Sequence, residues 1–411
     1  MKIALMGPIA TAGIAPYLAD PPPADFPPGV AGAPFMGALI GALLARGHEV
    51  VAITSGGFEA SRDTQPRSLR GERFEFHCCP ARRHSFRPSH GRIGRMLDFF
   101  AYERSMLLQV LEQTKPDFVH AHWIYEYALA AIDSGIPHLV TAHDDPKAIL
   151  KLFKNLFRFG RYLMARQTLG RASALSAVSA DLQARLSRYT TRPIEVIPNP
   201  LSQRFLLEGE PHLLPSGEAY RFFSVMNGWG HWKNASTALR AFALIRRTLP
   251  QATYHLFGAN YEPGGLAQQW ADKEQLSDGV VFHGPTPHEQ LIQELKQATI
   301  MLHPSRWEAC PMGIAEAMAL GLPVVGGNDS GGVAWMVGEG GLVVDVNRAE
   351  DIAAAAIQLV GDEALYARCA AAARLRVQEF EPGLIAERYE TAYSQAMARQ
   401  VAGGAPGVGN S

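Results

Sequence analysis

The residues from Ile300 to Gly327 carry the strongest chemical pattern in the sequence, IMLHPSRWEACPMGIAEAMALGLPVVGG. Two glutamates, Glu308 and Glu316, stand eight positions apart within it. The first is predicted in a loop and the second on the second turn of the helix that follows, so the two carboxylates should lie along one ligand, one nearer each end. Carboxylates accept hydrogen bonds from hydroxyl groups. The spacing therefore favours a ligand rich in hydroxyls, such as a sugar.

The elements around these glutamates are predicted to form a ligand site. Ile300–His303 is a short apolar run typical of a buried strand, and Pro311 opens a helix that stops at Gly321, since proline suits the first helical position and glycine the end. The first turn of such a helix offers free N–H groups and a partial positive charge to phosphate or sugar oxygens. Gly313 lets a ligand approach the backbone closely. The alternative is an ordinary strand, loop and helix with two solvated glutamates.

The run Glu308-x7-Glu316, within EACPMGIAEAMALGLPVV, closely resembles the signature of the GT-B family 4 of retaining glycosyltransferases. Weaker motifs occur in the family's order, namely residues 33–54 ending in GHEVVAIT, PDFVHAHW at 116–123, TAHD at 141–144, VSADLQ at 178–183 and VIPNP at 196–200. The resemblance covers most of the chain. It implies an α/β protein of the GT-B fold, with two doubly wound Rossmann-like domains facing across a cleft.

The resemblance also implies a function. The chain would transfer a hexose-type sugar from a nucleotide-diphosphate sugar to a glycan, lipid-linked or small-molecule acceptor, with retention of the anomeric configuration. Glu316 would bind the ribose hydroxyls of the nucleotide. Glu308 would bind hydroxyls of the transferred sugar, helped by the backbone of Pro311, Met312 and Gly313.

A pair of basic side chains is expected to hold the diphosphate, which becomes the leaving group. Lys233, in NGWGHWKN, matches one member of the family's pair. The family's arginine, five or six residues earlier, is replaced here by Gly228 or Asn227. Either His231 or Arg306 supplies the second donor under this interpretation, or the site is weaker than in its relatives. For Lys233 itself, a solvated lysine at the start of a helix is the alternative.

In the first half of the chain, His122 resembles the family histidine near the donor sugar. Its expected role is hydrogen bonding to the sugar or stabilising positive charge at the anomeric carbon, and the alternative is a histidine satisfied within a turn. Gly29 and Gly32 resemble the glycine loop that lets the backbone approach the diphosphate. They are also explained as turn residues of a proline-rich loop.

The sequence contains no Asp-x-Asp motif, which other glycosyltransferases use to hold Mg²⁺ or Mn²⁺ on the diphosphate. We therefore expect a metal-independent reaction with no cofactor beyond the nucleotide sugar as co-substrate. Two other functions stay open at this point. One is an epimerase that shares the fold and interconverts the donor sugar, and the other is a non-catalytic protein that binds nucleotide sugars.

The elements that must position these residues alternate between short apolar strands and amphipathic helices, a pattern typical of parallel sheets covered by helices. We expect an N-terminal acceptor-side Rossmann-like domain at 1–200 and a C-terminal nucleotide-sugar-binding domain at 201–380. A helix at 381–399 should cross back to the first domain, and a glycine-rich tail at 400–411 should be disordered. The predicted strands are Lys2–Met6, Glu49–Thr54, Phe118–His120, His138–Ala142, Ala174–Val178, Ile194–Ile197, Phe222–Met226, Thr253–Phe257, Val280–His283, Ile300–His303, Pro323–Val325 and Gly341–Val344.

The formal net charge of -1 argues against nucleic acid as the main partner. The charge is unevenly distributed, because residues 1–200 hold 23 Lys/Arg against 17 Asp/Glu. Seven of these cations lie between 147 and 171, interleaved with large apolar residues, which is typical of peripheral contact with an anionic membrane or of a packed helix with a basic face. The four cysteines lack metal-ligand spacing, and no apolar run approaches the ~20 residues that span a bilayer. The expected location is cytoplasmic, with peripheral membrane contact as an addition.

Overall fold

The computed structural model describes residues 1–60, 64–209, 212–217 and 219–403, with side chains to residue 400. The chain forms two compact units. The first comprises Met1–Pro200 and Pro382–Ser411, and the second comprises Leu201–Glu381. The prediction of a disordered tail at 400–411 is wrong for residues 400–403, because the last helix extends to Gly403. Residues 404–411 lie outside the described residues.

The first unit is built on an eight-stranded sheet of order β3-β4-β2-β1-β5-β6-β7-β8. All neighbouring strands run parallel except β3, which pairs with β4 in the antiparallel sense. The strands are β1 (Lys2–Met6), β2 (Glu49–Glu59), β3 (Arg67–Gly71), β4 (Phe74–Ala81), β5 (Phe118–His122), β6 (His138–Ala142), β7 (Leu175–Ala177) and β8 (Ile194–Val196). The helices of this unit before residue 200 are α1 (Thr11–Ile14), α2 (Phe35–Ala45), α3 (Ala101–Thr114), α4 (Glu126–Asp133), α5 (Pro146–Phe153), α6 (Leu156–Arg171) and α7 (Ala180–Leu186), with a 3-10 turn at Ala15–Tyr17.

The second unit is built on a six-stranded parallel sheet of order β11-β10-β9-β12-β13-β14. Its strands are β9 (Arg221–Val225), β10 (Thr253–Phe257), β11 (Val280–Gly284), β12 (Ile300–His303), β13 (Val324–Gly327) and β14 (Gly341–Val344). Its helices are α8 (Gln203–Glu208), α9 (Ala235–Thr248), α10 (Leu266–Lys273), α11 (His288–Lys296), α12 (Met312–Ala319), α13 (Gly332–Val337), α14 (Ala349–Gly361) and α15 (Glu363–Val377), followed by a 3-10 turn at Gln378–Phe380.

Both faces of the second sheet are buried. Successive residues of a strand point to opposite faces, and Phe222 belongs to one apolar cluster while Phe223 belongs to the other. Phe222 packs with Phe242 of α9, whereas the cluster of Phe223 includes Ile314 of α12. A sheet covered on both faces needs nearly continuous apolar strands, which explains why the strands of this unit follow the short apolar runs of the sequence.

The last helix, α16 (Pro382–Gly403), packs against α2 in the first unit. Its Glu390 accepts from the guanidinium of Arg46, with Nη2 to Oε2 at 2.6 Å, and its Tyr393 hydroxyl lies 2.8 Å from Nδ1 of His120. The hydrogen bond from Arg46 lowers the pKa of Glu390 to about 2. This helix therefore contributes both an ion pair and buried aromatic rings to the first unit.

Candidate functional site

Two loops of the second unit bring most of the predicted site residues together. The loop at 226–234 follows β9, and the loop at 304–311 follows β12. These strands are parallel neighbours at the centre of the sheet, with Phe222 opposite Ile300, so their carboxyl ends open onto the same edge. The backbone N–H of Arg306 donates to the carbonyl of Trp232 at 3.0 Å, which ties the loops to each other. In doubly wound sheets this edge is where ligands bind.

Lys233 and Glu308 form an ion pair across these loops. The Nζ atom of Lys233 lies 2.6 Å from Oε1 of Glu308, and both side chains are largely buried. His303, at the end of β12, lies behind them with its Nε2 at 3.9 Å from the same carboxylate oxygen. Burial lowers the pKa of His303 to about 4, so its ring is neutral near pH 7. Lys233 is therefore not a solvated lysine but one half of a defined pair.

The position of Lys233 is fixed by the next residue, Asn234, which the sequence reasoning missed. Asn234 is fully buried and left-handed, with φ of 57°. Its Nδ2 donates to the carbonyls of Pro304 at 3.0 Å and Val346 at 2.7 Å. Asparagine tolerates this backbone conformation better than most residues do. An asparagine directly before a predicted helix was the available signal for this anchor.

Glu308 is held by a third loop, at 328–331, which the sequence reasoning also missed. The N–H of Glu308 donates to Ser330 at 3.1 Å, and its carbonyl accepts from the N–H of Gly332 at 2.7 Å. Gly331 has φ of 67°, and a Cβ there would lie 2.5 Å from the indole of Trp307. Only glycine suits both constraints, so the glycine pair at 331–332 was the signal for a loop that closes on Glu308.

Helix α12 presents a free N-terminal turn and one buried acid. Within the described residues, the N–H groups of Met312 and Gly313 have no hydrogen-bond acceptor. Pro311 precedes them as the N-cap residue. On the next turn Glu316 is 8% exposed, and its side chain has no hydrogen-bond partner in the described part of the chain. Burial raises the pKa of its carboxyl to about 8. Once ionised, the carboxylate can accept hydrogen bonds from hydroxyl groups.

The absent side chain of Gly313 faces the protein. A Cβ at this position would lie 3.4 Å from the carbonyl oxygen of Val225 and 3.7 Å from Cε of Met301. Both are ordinary van der Waals distances, so packing against β9 and β12 does not by itself require glycine here. The expected approach of a ligand to this backbone stays a prediction.

His231 and Arg306, the two candidates for the second diphosphate donor, contact each other. Nη1 of Arg306 lies 3.1 Å from Nδ1 of His231 and also donates to the His231 carbonyl, while Nε donates to Oδ1 of Asn347 at 2.7 Å. Burial lowers the pKa of the Arg306 guanidinium. These residues thus form one assembly in which Arg306 is oriented by two neighbours.

The replacement of the expected arginine has a backbone reason. Gly228 has φ of 93°, a conformation that side-chain-bearing residues rarely adopt. Its N–H donates to the carbonyl of Ala259 at 3.0 Å, its carbonyl accepts from the Tyr261 hydroxyl at 3.0 Å, and Oδ1 of Asn227 accepts from the N–H of Ala259 at 3.0 Å. This segment is therefore bound to the loop after β10, and an arginine at 228 would strain it.

In the first unit, His122 ends β5 and is completely buried. Its Nδ1 lies 2.9 Å from Nε2 of His143, whereas its own Nε2 has no partner among the described residues. Burial lowers the pKa of His122 to about 3, so the ring is neutral. His143 is stacked by Trp123, with ring centroids 4.2 Å apart. A neutral imidazole with one unpaired buried nitrogen is suited to a single hydrogen bond with a ligand.

The two glycines of the proline-rich loop differ in their surroundings. Gly29 has φ of 70°, and a Cβ there would lie 2.3 Å from the carbonyl oxygen of Ile9. Gly32 has φ of 109°, and a Cβ there would meet no atom within 4 Å. Gly29 is therefore required by packing within the loop. The open space at Gly32 leaves its expected role at the diphosphate as a prediction.

A second cluster of polar groups lies on β10, β11 and α11. His255, His283 and Glu294 offer donor atoms within 4.8 Å of one another. Nδ1 of His255 lies 2.9 Å from Nε2 of His283, and Glu294 pairs with Arg221 at 3.2 Å. The residues of this cluster differ from those that form the Lys233–Glu308 site.

Comparisons with known proteins give a consistent result. The family model described as "Glycosyl transferases group 1" matches residues 214–376, and the one described as "Glycosyltransferase Family 4" matches residues 35–203. The chain is 25% identical over 388 residues to N-acetyl-alpha-D-glucosaminyl L-malate synthase of Bacillus anthracis, covering 89% of this chain and 94% of that protein. It is 29% identical over 171 residues to an exopolysaccharide phosphotransferase of Streptomyces coelicolor, which covers 41% of this chain but only 18% of that protein.

Solved structures resemble the whole chain. Sucrose-phosphate synthase from Thermosynechococcus elongatus superposes with a TM-score of 0.70 at 19% identity, covering 97% of this chain and 99% of that one. HepE from Anabaena, solved in complex with UDP and glucose, gives a TM-score of 0.66 at 17% identity, covering 96% and 100%. At these identities the likeness shows the fold.

Proposed function

The chain belongs to the group 1, or family 4, glycosyltransferases and has the GT-B fold, and from this membership we propose that it transfers a hexose-type sugar from a nucleotide-diphosphate donor with retention of configuration and without a metal. One observation carries the proposal. The Lys233–Glu308 pair and the buried Glu316 belong to the loops and the helix at the carboxyl ends of β9 and β12. This set supplies a cation for phosphate and carboxylates for hydroxyls.

In this proposal the donor binds along α12. The ribose hydroxyls donate to Glu316, and the transferred sugar donates to Glu308 and lies against the free N–H groups of Met312 and Gly313. The diphosphate is held by Lys233 with Arg306, which His231 helps to orient. The roles of His122 and Gly32 toward the donor stay predictions.

The proposed chemistry exchanges one bond at the anomeric carbon. The bond from this carbon to the leaving phosphate oxygen breaks while an acceptor hydroxyl forms a new bond on the same face. The acceptor proton passes to the departing phosphate oxygen. Negative charge grows on the diphosphate as the bond breaks, so the cations contribute most in the transition state.

The donor is tested by thermal stabilisation with UDP-, GDP-, ADP- and dTDP-sugars. A ligand at 100 times its Kd stabilises the folded protein by about 2.7 kcal/mol. We expect one base to be clearly preferred, and UDP is the first candidate because HepE was solved with UDP and glucose. Incubation of the preferred donor with acceptor pools, read by NMR of the anomeric proton, then tests transfer with retention. Conversion of the donor sugar alone, without transfer, would instead indicate an epimerase.

Transfer is expected to survive EDTA with less than about a twofold change, because the proposed site neutralises the diphosphate with side chains and helix N–H groups. Initial rates with EDTA, and with added Mg²⁺ or Mn²⁺, measure this. The variant His283→Gln is the control, since a metal at the His255–His283–Glu294 cluster would act on stability rather than on the diphosphate. Loss of transfer that Mg²⁺ or Mn²⁺ restores equally in wild type and His283→Gln would refute metal independence.

The acceptor is proposed to be a glycan, a lipid-linked molecule or a small molecule, and peripheral membrane contact through residues 147–171 is part of the proposal. Among the described residues, no helix combines the length and apolar character needed to cross a membrane.

A further inference from the structure

The first unit carries a surface that is both cationic and apolar, formed by residues 83–99 and 146–166. We call it the basic apolar surface. We propose that it docks the protein on an anionic lipid bilayer, and that the acceptor is consequently lipid-linked. The inference of a lipid-linked acceptor rests on the proposed transferase function, whereas the docking itself does not.

The sequence of this surface lacks acidic residues over two long stretches. Residues 76–97 and 146–180 contain no Asp or Glu, yet they hold five and seven Lys/Arg, respectively. The predicted single basic stretch at 147–171 proves to be two helices, because Lys154 adopts a left-handed conformation between α5 and α6. Helix α5 buries only Pro146 and exposes Lys147, Lys151 and Phe153. It therefore lies on the outside of the unit.

Apolar exposure is concentrated on the same surface. Eight of the 16 exposed large apolar side chains in the described residues lie between positions 86 and 163. Leu156 is 73% exposed, Leu97 57% and Phe153 52%. Large apolar side chains clustered on a surface mark an interaction site, and here they alternate with cations whose aliphatic stems can lie along a bilayer interface.

The two segments adjoin in the fold. Gly160 of α6 faces Met96, where an added Cβ would lie 2.2 Å from Sδ, and the guanidinium of Arg161 lies 5.6 Å from the ring centroid of Phe100. The loop at 84–96 folds back on itself, since the N–H of Arg95 donates to His84 at 3.0 Å. Ile93 in this loop and Leu97 directly after it are exposed on the part of the chain that packs against α6.

Four cations of this surface form no ion pair within the part of the chain that the structure describes. Lys147, Lys151, Lys154 and Arg158 have no ion pair among the described residues, in contrast to Arg161, which pairs with Glu126. Arg158 lies over the ring of Phe153 at 4.9 Å. Unpaired cations beside exposed aromatic rings complement lipid phosphates above an apolar layer. An anionic bilayer would account for both the cations and the exposed apolar side chains, whereas an acidic protein partner would account only for the cations.

The test is sedimentation with vesicles of phosphatidylcholine alone or with about one third phosphatidylglycerol. At low salt we expect wild type to bind the anionic vesicles, and replacement of Lys147, Lys151, Lys154 and Arg158 by glutamine should weaken binding by about 100-fold or more. The matched control removes four exposed cations of the second unit, Arg247, Lys273, Arg348 and Arg368, and should bind nearly as wild type. Leu156→Ser with Phe159→Ser should weaken the binding that persists at physiological salt.

Two results would overturn the docking proposal. One is wild type that ignores anionic vesicles at low salt, which would favour an acidic protein as the occupant. The other is an equal loss in the test and control variants, which would mean that net charge alone acts. Vesicle binding is measured without donor, and donor stabilisation is measured without vesicles. A failure of docking with intact donor binding therefore removes the membrane surface and leaves the transferase proposal standing.

Discussion

Replacing Glu316 by glutamine is expected to stabilise the protein and weaken nucleotide binding at the same time. The carboxyl is buried with no hydrogen-bond partner among the described residues, and burial raises its pKa from 4.5 to about 8. Glutamine is nearly isosteric but cannot ionise. A residue whose removal improves stability and harms binding is one that the fold retains for its ligand.

The sign of the pH dependence follows from the raised pKa. Between pH 4.5 and 8 the unfolded chain has lost the Glu316 proton while the folded protein keeps it, so this group's stabilising contribution falls as pH rises through that window. Each pH unit above 4.5 lowers the free energy of unfolding by about 1.4 kcal/mol, so the loss reaches about 3 kcal/mol near pH 7. The melting temperature of Glu316→Gln should therefore exceed that of wild type by an amount that grows from pH 5 to pH 8.

Nucleotide binding should show the opposite trend. Ribose hydroxyls form stronger hydrogen bonds with the ionised carboxylate than with the protonated carboxyl. Nucleotide binding should therefore release a proton from Glu316, and wild-type affinity should rise as pH approaches 8. The glutamine variant should bind about 10–100-fold more weakly, the equivalent of one hydrogen bond to a charged group, and with little pH dependence. Calorimetric titration with nucleoside and nucleoside diphosphate measures both effects. Equal affinities in variant and wild type at pH 8 would remove Glu316 from the ribose site.

Much of the sheet architecture was predictable because its strands are short, apolar and flanked by turn residues. Five strands, β1, β6, β10, β12 and β14, have the bounds that the sequence predicts. Strands β3 and β4, which the sequence did not predict, show why such predictions fail. β3 is an edge strand of sequence RSLRG with alternating exposure. β4 includes a histidine and two cysteines that are buried in the fold, where β4 lies between β2 and β3. Their strand character depends on the sheet more than on their own composition.

The candidate site was predictable in its residue types but not in its connections. The sequence singled out Lys233 and Glu308 separately, whereas their 2.6 Å contact requires two loops that are 75 positions apart in the chain. The clamps formed by Asn234 and Gly331 depend on carbonyls and rings supplied by distant segments. Burial of Glu316 is likewise a product of packing around α12. These features need tertiary structure, which a single sequence does not contain.

Lys233→Ala is expected to lower turnover about 100- to 1000-fold, because it removes the cation nearest to the proposed leaving group. Affinity for the nucleoside diphosphate should fall, while affinity for the nucleoside alone should not. The matched control, Lys273→Ala, removes an exposed lysine of the same unit and should leave both unchanged. Lys233→Arg, which keeps the charge, should recover part of the turnover. A parallel loss of nucleoside and nucleoside-diphosphate affinity would assign Lys233 to something other than phosphate.

For Glu308, the partner of Lys233 in the ion pair, we expect a substitution to have the opposite effect on nucleoside-diphosphate affinity. Glu308 neutralises Lys233 at 2.6 Å, and an incoming diphosphate must compete with that carboxylate. Glu308→Gln removes this competition and its repulsion, so the free nucleoside diphosphate should bind more tightly than to wild type. Transfer should nevertheless fall strongly, because the sugar hydroxyls lose a charged acceptor. Titration calorimetry with nucleoside diphosphate, beside initial rates with the full donor, separates the two effects. Weaker nucleoside-diphosphate binding by Glu308→Gln would mean that the carboxylate orients Lys233 for phosphate instead of competing for it, and the division of roles between the two residues would then be wrong.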